Sequence, residues 1–237
     1  MVASKHIAII PARAGSKRIP GKNIIDFMGQ PMIGWTIEAA LQSGVFDRVL
    51  VSTDDEDIAQ VAKEYGAEVP FLRVNCADDY SPVSMATTVA LRQAMDYWGE
   101  SYGIVAQLMA NCPLRSSIDI QLSIESFMEK GRDFQISCFK FGWMNPWWAA
   151  TLSEDGQPSR LFKEYAASRS QDLPELYCPT GAIWLAKAPK LIECGDFYGP
   201  NHAFEPISLA SAVDIDDGDD LALARTFFSQ NSSSREC

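Results

Sequence analysis

The chain of 237 residues carries 20 Lys and Arg against 31 Asp and Glu, a formal net charge of −11, so it lacks the broad basic surface that a nucleic-acid partner needs. Its 47% hydrophobic content suffices for one large buried core, yet no run approaches the roughly 20 consecutive apolar residues of a membrane span. Six scattered cysteines without a C-x-x-C pair, and only two histidines, argue against a zinc site and a disulfide framework.

The N-terminal "MVASKHIAII" runs into "PARAGSKR" without a long h-region or a cleavage site, so a cytoplasmic protein is expected. "HIAII" (6–10) and "RVLVST" (48–53) are short, β-branched and apolar, as strands covered on both faces are. Between them "PMIGWTIEAALQSG" (31–44) starts on Pro and stops on Gly like a helix, and "DDEDIAQVAKEYGAE" (54–68) sets Ile58, Val61, Ala62 and Tyr65 at helical spacing. The alternation continues: a strand over 68–73, a helix over 84–99, a strand over 103–109 and a helix over 118–131. Strands alternating with helices imply an α/β fold with a doubly wound, mostly parallel sheet, whose ligands sit outside the C-terminal strand ends.

After a strand over 133–141, residues 142–187 turn aromatic, turn-rich and irregular before an apparent strand at 182–186. The whole chain reads as one domain, 1–237, with a small inserted subdomain over about 140–182. "SAVDIDDGDDLALARTFFSQ" (211–230) returns to strand-then-helix form, and "NSSSREC" (231–237) is expected to fray.

"IIPARAGSKRIPGKN" (9–23) packs Arg13, Lys17, Arg18 and Lys22 just after the first strand of an acidic chain. Gly15 and Gly21 allow close backbone approach, Ser16 and Asn23 supply hydrogen bonds, and the cations suit phosphate oxygens. Neither G-x-x-x-x-G-K-[ST] nor G-x-G-x-x-G is present. The alternative is four solvated charges in a loop, but the position after the first strand favours a small-anion site.

That loop, together with "GQPMIGWTIEAALQSGVFDRVLVSTDDEDIAQVAKEYGAEVPFLR", "NCPLR" (111–115), "SQDLP" (170–174), "TGAIWLA" (180–186) and "VDIDDGDDLALA" (213–224), resembles the CMP-acylneuraminate synthetases over nearly the whole chain. The resemblance implies a Rossmann-like nucleotidyltransferase that joins CMP from CTP to a nonulosonate, a nine-carbon 2-keto-sugar acid, with Mg2+, releasing pyrophosphate. It also implies a homodimer, with which the aromatic insertion is compatible. Arg13, Ser16, Lys17, Lys22, Asn23, Arg73 and Ser84 would then hold the nucleotide. Lys22, Arg13 and Asp216 would carry the chemistry. A Kdo-like sugar acid, another NTP, or a non-catalytic nucleotide-binding homologue are the competing readings.

"DIDDGDD" sets Asp214 and Asp216 two apart after the expected strand, where alternation turns both to one side. Oxygen ligands suit magnesium, and the resemblance makes this pair the metal holders. Asp217, Asp219 and Asp220 read instead as caps of the last helix. On the sugar side the resemblance assigns positions whose residues depart from the family. Met109 replaces a glutamine, Thr180 lies in "CPTGA" where many members read Arg-Pro-Asn-Gly-Ala, and Trp184 stands for the usual tyrosine. Arg169 or Ser170 would meet the sugar carboxylate, with Gln171, Phe197 and Tyr198 beside it. Trp143, Trp147 and Trp148 are a sugar platform or, the commoner role, buried at an interface or core. These departures point to a sugar less hydroxylated than N-acetylneuraminate, such as pseudaminic or legionaminic acid.

Overall fold

The computed structural model describes residues 4–73 and 82–233. The chain opens with β1 (Lys5–Pro11), then a tight 3-10 turn at Lys22–Ile24, and a small hairpin of β2 (Asp26–Phe27) and β3 (Gln30–Pro31). Helix α1 (Met32–Ser43) starts behind Pro31 and ends at Gly44, as its two breakers require. After β4 (Arg48–Ser52), α2 (Glu56–Glu64) is capped by Asp55, whose carboxylate accepts the Ile58 N–H at 2.9 Å. Then come α3 (Val83–Trp98), β5 (Tyr102–Gln107) and α4 (Ser117–Glu129), the last begun by a Ser116/Asp119 capping box.

β6 (Phe134–Lys140) leads into an exposed arm carrying the hairpin of β7 (Ala150–Leu152) and β8 (Pro158–Arg160). The chain returns through β9 (Tyr177–Lys187), α5 (Ala188–Cys194), β10 (Ala203–Pro206) and α6 (Gly218–Ser233).

Six strands form one sheet in the order β4-β1-β5-β9-β6-β10. All run parallel except β9, which is antiparallel to both its neighbours. Alternation splits the core: Ala8, Ile10, Val49 and Val51 face α1, α2 and α4, whereas Ile7, Ile9 and Leu50 face α3 and α5. The doubly wound α/β fold expected of the sequence is therefore the fold observed. A third cluster, Phe27, Met32, Val213, Ile215 and Ala224, docks α6 against α1 and the first hairpin.

Four expectations differ. Residues 68–73 are not a strand: Glu68 makes one parallel bridge to Leu50, and Pro70, which has no N–H to donate, stops the ladder. Residues 211–216 are not a strand: 211–212 lie in a turn, and among the described residues the Ile215 N–H donates not to a strand but to Asn111 O, at 2.9 Å, in the loop after β5. The strand expected at 182–186 begins at Tyr177, so the end of the expected insertion belongs to the main sheet. Helix α6 continues to Ser233, into the tail expected to fray, and residues 234–237 lie outside the described set.

Candidate active site

The chain leaves β4 on one side of β1 and crosses over to β5 on the other, so the sheet reverses its winding beside β1. A crevice opens outside the C-terminal strand ends at such a point. Here it is a cleft of about 520 Å3 lined by Arg13, Ser16, Lys17, Arg18, Lys22 and Asn23 on one wall, and by Met109, Asn111, Asp214 and Asp216 on the other. Gly21 at φ +63° turns the loop into the Lys22–Ile24 turn, a left-handed conformation that glycine takes without a Cβ penalty. The Asn23 amide, almost wholly buried, donates to Arg13 O at 3.0 Å and so braces the loop against itself.

The two walls meet through charge. Lys22 Nζ donates to Ile215 O and to Asp216 Oδ1, both at 2.8 Å. Arg18 pairs with the other oxygen of Asp216 at 2.6 Å. Asn111 sits between the carboxylates: its Nδ2 donates to Asp214 Oδ1, to Ile215 O at 3.1 Å and to Asp216 Oδ1 at 3.4 Å.

Burial and then the charge of Asp216 push the Asp214 carboxyl up to about 6. Burial also acts upward on Asp216, but Lys22 and Arg18 outweigh it and hold that carboxyl below the usual range.

Two carboxylates that meet at the Asn111 amide, one of them carrying little compensating charge, fit a hard divalent cation. Among the described residues no group of three His, Cys, Asp or Glu side chains could hold a metal alone, so waters and substrate oxygens would complete its shell. Asp217 instead caps α6, accepting the N–H groups of Asp219 and Asp220. Asp220 accepts those of Asp216 and Asp217, while Asp219 is exposed.

Beside the cleft lies a second, mainly apolar pocket of about 370 Å3, which shares Asp214 with it and is lined in part by Thr180, Trp184 and Tyr198. Thr180 Oγ1 donates to Ala212 O at 2.7 Å, and Trp184 Nε1 to Thr180 O at 2.7 Å, so both are locked in the pocket wall. Gly181 makes the junction: a Cβ there would fall 2.7 Å from Met109 Cγ and 3.2 Å from Asp214 Oδ2. Phe197 is fully buried and reaches the pocket only through its ring contact with Trp184.

Several expected contacts lie elsewhere. Arg73 is buried outside the cleft, 3.9 Å from Asp54, whose carboxylate in turn accepts the Ala14 N–H of the loop. The Ser84 hydroxyl is committed to Asp196 Oδ1 at 2.8 Å, within the turn that carries Tyr198, so it braces the apolar pocket rather than the nucleotide cleft. Arg169, Ser170 and Gln171 sit on the exposed arm, outside both cavities, with Arg169 bonded to Asp172 at 2.7 Å. Trp147 forms the arm's own small core with Phe162 and Tyr165, while Trp143 is 86% exposed.

Asn111 completes the cleft without having been assigned a role from the sequence, and Arg18, expected only as one of the loop's cations, pairs with Asp216. "NCPLR" marked the right segment, but an uncharged amide gave no signal of which carboxylates it would meet. The arginine of that motif, Arg115, is buried and donates to Ala182 O at 2.6 Å, tying the segment to β9.

Residues 7–180 match the model of the Cytidylyltransferase family. The chain belongs to the cytidylyltransferases. It is 35% identical to a pseudaminic acid cytidylyltransferase of Campylobacter jejuni over 97% of this chain and 99% of that one. It is 34% identical to a CMP-N,N'-diacetyllegionaminic acid synthase of Legionella pneumophila, over 95% and 97% of the two chains. Among solved structures, a CMP:2-keto-3-deoxy-manno-octonic acid synthetase in complex with CTP superposes with a TM-score of 0.71 at 17% identity, covering 96% of this cytidylyltransferase and 100% of that chain. That likeness shows a shared fold. Among the described residues, no helix of this cytidylyltransferase is long and apolar enough to cross a membrane.

Proposed function

We propose that the protein transfers CMP from CTP to the anomeric hydroxyl of a nonulosonate with the help of Mg2+. The observation that carries this reading is the contact across the cleft. Lys22 and Arg18 of a phosphate-type loop converge on Asp216 of a carboxylate pair at 2.8 and 2.6 Å. In transfer, the anomeric oxygen bonds to the α-phosphorus, the bond from that phosphorus to the β-phosphate oxygen breaks, pyrophosphate leaves and the hydroxyl proton passes to water. Such a step needs chiefly positioning and charge neutralisation.

Arg13, Lys17 and Lys22 supply positive charge to the triphosphate from one wall, with Ser16 as a hydrogen-bonding partner and Asn23 holding the loop in shape. Lys22 touches the carboxylate pair, 2.8 Å from Asp216, which suits it to the charge that develops as pyrophosphate departs. Asp214 and Asp216 would hold Mg2+, which when bound neutralises the triphosphate. Arg73 would act on the nucleotide through Asp54 and the loop that Asp54 steadies.

The exposed arm supports a homodimer: Trp143, Leu152 and Leu161 lie open on it, an apolar surface that a second copy would cover. Arg169 or Ser170, with Gln171, would meet the sugar carboxylate only in such an assembly or after the arm moves. A cytoplasmic setting supplies CTP.

Purified protein incubated with CTP, Mg2+ and a panel of nonulosonates is expected to release pyrophosphate and form a CMP-sugar. Silence across the panel from folded protein sinks the reading. Light scattering on the same sample reads the oligomeric state.

A further inference from the structure

A separate cavity of about 320 Å3 lies between α1, α6 and the start of α4, and none of its lining residues lines the cleft or the apolar pocket beside it. Trp35, Leu114 and Phe228 give it an apolar wall, Ser117 belongs to the first turn of α4, and Arg115 and Glu38 are its two charges. Arg115 is 1% exposed, and its Nη1 donates to Ala182 O at 2.6 Å and to Met109 O at 3.4 Å. Its Nε and Nη2 are equally shielded and meet no hydrogen-bond partner among the described residues. Those two nitrogens carry the parallel N–H pair with which a guanidinium grips a carboxylate bidentately.

The chain does not answer that charge itself. The carboxylate of Asp119, whose field bears on Arg115, spends its Oδ2 on the N–H and the hydroxyl of Ser116. A guanidinium taken from water without a paired counter-charge is costly, and burial lowers Arg115 to about 10. An orphaned buried donor of this kind calls for a partner. The start of α4 adds to the attraction: its capping box takes the N–H groups of Ser116 and Asp119, while that of Ser117 has no acceptor within the helix. Glu38, in the same cavity, repels a second negative charge. The apolar wall and the volume suit more than a bare ion.

We infer that this cavity is a second ligand site and that it takes an organic monocarboxylate, its carboxylate on the Nε–Nη2 edge of Arg115 beside the first turn of α4 and its apolar body against Trp35, Leu114 and Phe228. The inference goes beyond the proposed transfer reaction and does not depend on it. For a ligand of about ten non-hydrogen atoms at ordinary efficiency, a Kd on the order of 1 mM is expected.

The test titrates the full chain with phenylacetate, the neutral phenylacetamide and inorganic phosphate, with binding followed by ligand-observed NMR. Phenylacetate is expected to bind saturably and the other two at least about 10-fold more weakly, since one lacks the charge and the other lacks the apolar body and brings a second charge towards Glu38. Arg115→Met, which keeps an apolar chain in the core, is expected to abolish phenylacetate binding, whereas Lys22→Ala in the cleft leaves it unchanged. Glu38→Gln, at a half-buried side chain, is expected to tighten phenylacetate at least about 3-fold and leave phenylacetamide as it was. That gain cannot come from misfolding, so it decides the matter even where Arg115→Met fails to fold. No saturable binding up to about 10 mM, equal binding of the acid and the amide, or equal binding of phosphate overturns the inference. So does a Glu38→Gln variant without effect, or loss of binding in Lys22→Ala, which would put the acid in the cleft. None of these readouts uses turnover, so failure here leaves cytidylyl transfer standing, and failure of transfer leaves this site standing.

Discussion

The two edges of one sheet handle charge in opposite ways. At the N-terminal edge the first residues of β1, β4 and β5, which are Lys5, Arg48 and Tyr102, all converge on Glu100. Lys5 reaches it at 2.5 Å, Arg48 bonds both its oxygens at 3.0 and 3.2 Å, and the Tyr102 hydroxyl donates at 2.9 Å. Arg48 also pairs with Glu68 at 3.0 Å and lies over the Trp98 ring. At the C-terminal edge Asp214 and Asp216 are held together instead, and the carboxyl of Asp214 rises to about 6 while that of Glu100, bonded by Arg48, Lys5 and Tyr102, falls to about 2. One edge has closed its charges among themselves and serves stability. The other keeps like charges adjacent, which the proposed function would use for a cation and a polyanion.

The comparison breaks most sharply at its two lysines. Lys22→Ala is expected to lower kcat/KM by about 10²–10³-fold, the usual cost of losing one preorganised charge at a transferring group, with the melting curve retained. Lys5→Ala, at the other edge, is expected to leave turnover unchanged. Pyrophosphate release by both variants checks this, and equal effects would erase the distinction between the edges.

Next in size is Asn111, which bridges the acidic pair without adding charge. Removing a group that orients metal ligands typically costs about 10–100-fold in metal affinity. Asn111→Ala is therefore expected to raise the Mg2+ needed for half-maximal rate by that factor, and to weaken Mn2+ binding read by electron paramagnetic resonance. An unchanged Mn2+ affinity would show that the carboxylates hold their positions without the amide.

A smaller effect tests the junction. In Gly181→Ala the new methyl meets a flexible Met109 and, at 3.2 Å, Asp214 Oδ2, so the carboxylate must shift by a few tenths of an ångström. About 10-fold lower kcat with near-native CTP affinity is expected, since misplacement at a reacting centre costs rate more than binding. A rise in the CTP KM alone would place the disturbance on the nucleotide side.

The contrast between edges also explains what could be read from the sequence. Strands β1, β4, β5 and β6 are buried on both faces and announce themselves as apolar runs, and the phosphate-type loop is contiguous, so its cations are visible in one glance at residues 13–22. The acidic pair was legible for the same reason, although the strand expected before it is absent and the segment's backbone bonds to the Asn111 loop. The apolar pocket was not legible as a unit, because Phe139 and Leu223 lie far apart in sequence and meet only through β6, β9 and α6. Met109, Thr180, Trp184 and Tyr198 were each singled out by position, yet nothing in their spacing told that Ser84 would spend its hydroxyl on Asp196 or that Arg169 would pair along its own arm. Local motifs report themselves, and sites assembled from side chains on distant elements emerge only from packing.

The smallest expected effect lies at the closed edge and is read in stability, not rate. The folded protein holds the Glu100 carboxyl at about 2, below its ordinary value of 4.5, so ionised Glu100 favours the folded state. That contribution is present above pH 4.5 and fades as the pH falls through 2, below which the carboxyl is protonated in folded and unfolded chains alike. Glu100→Gln removes it at every pH. Urea unfolding of the two proteins is thus expected to show a constant gap from pH 7 down to about 5 and a shrinking one from there to pH 3, with turnover at pH 7 identical. A gap that persists undiminished at pH 3 would mean that packing against Arg48, and not the charge, is what the edge contributes. Loss of turnover at pH 7 would mean that the two edges are coupled through β1, β4 and β5, and the division of labour between them would fall.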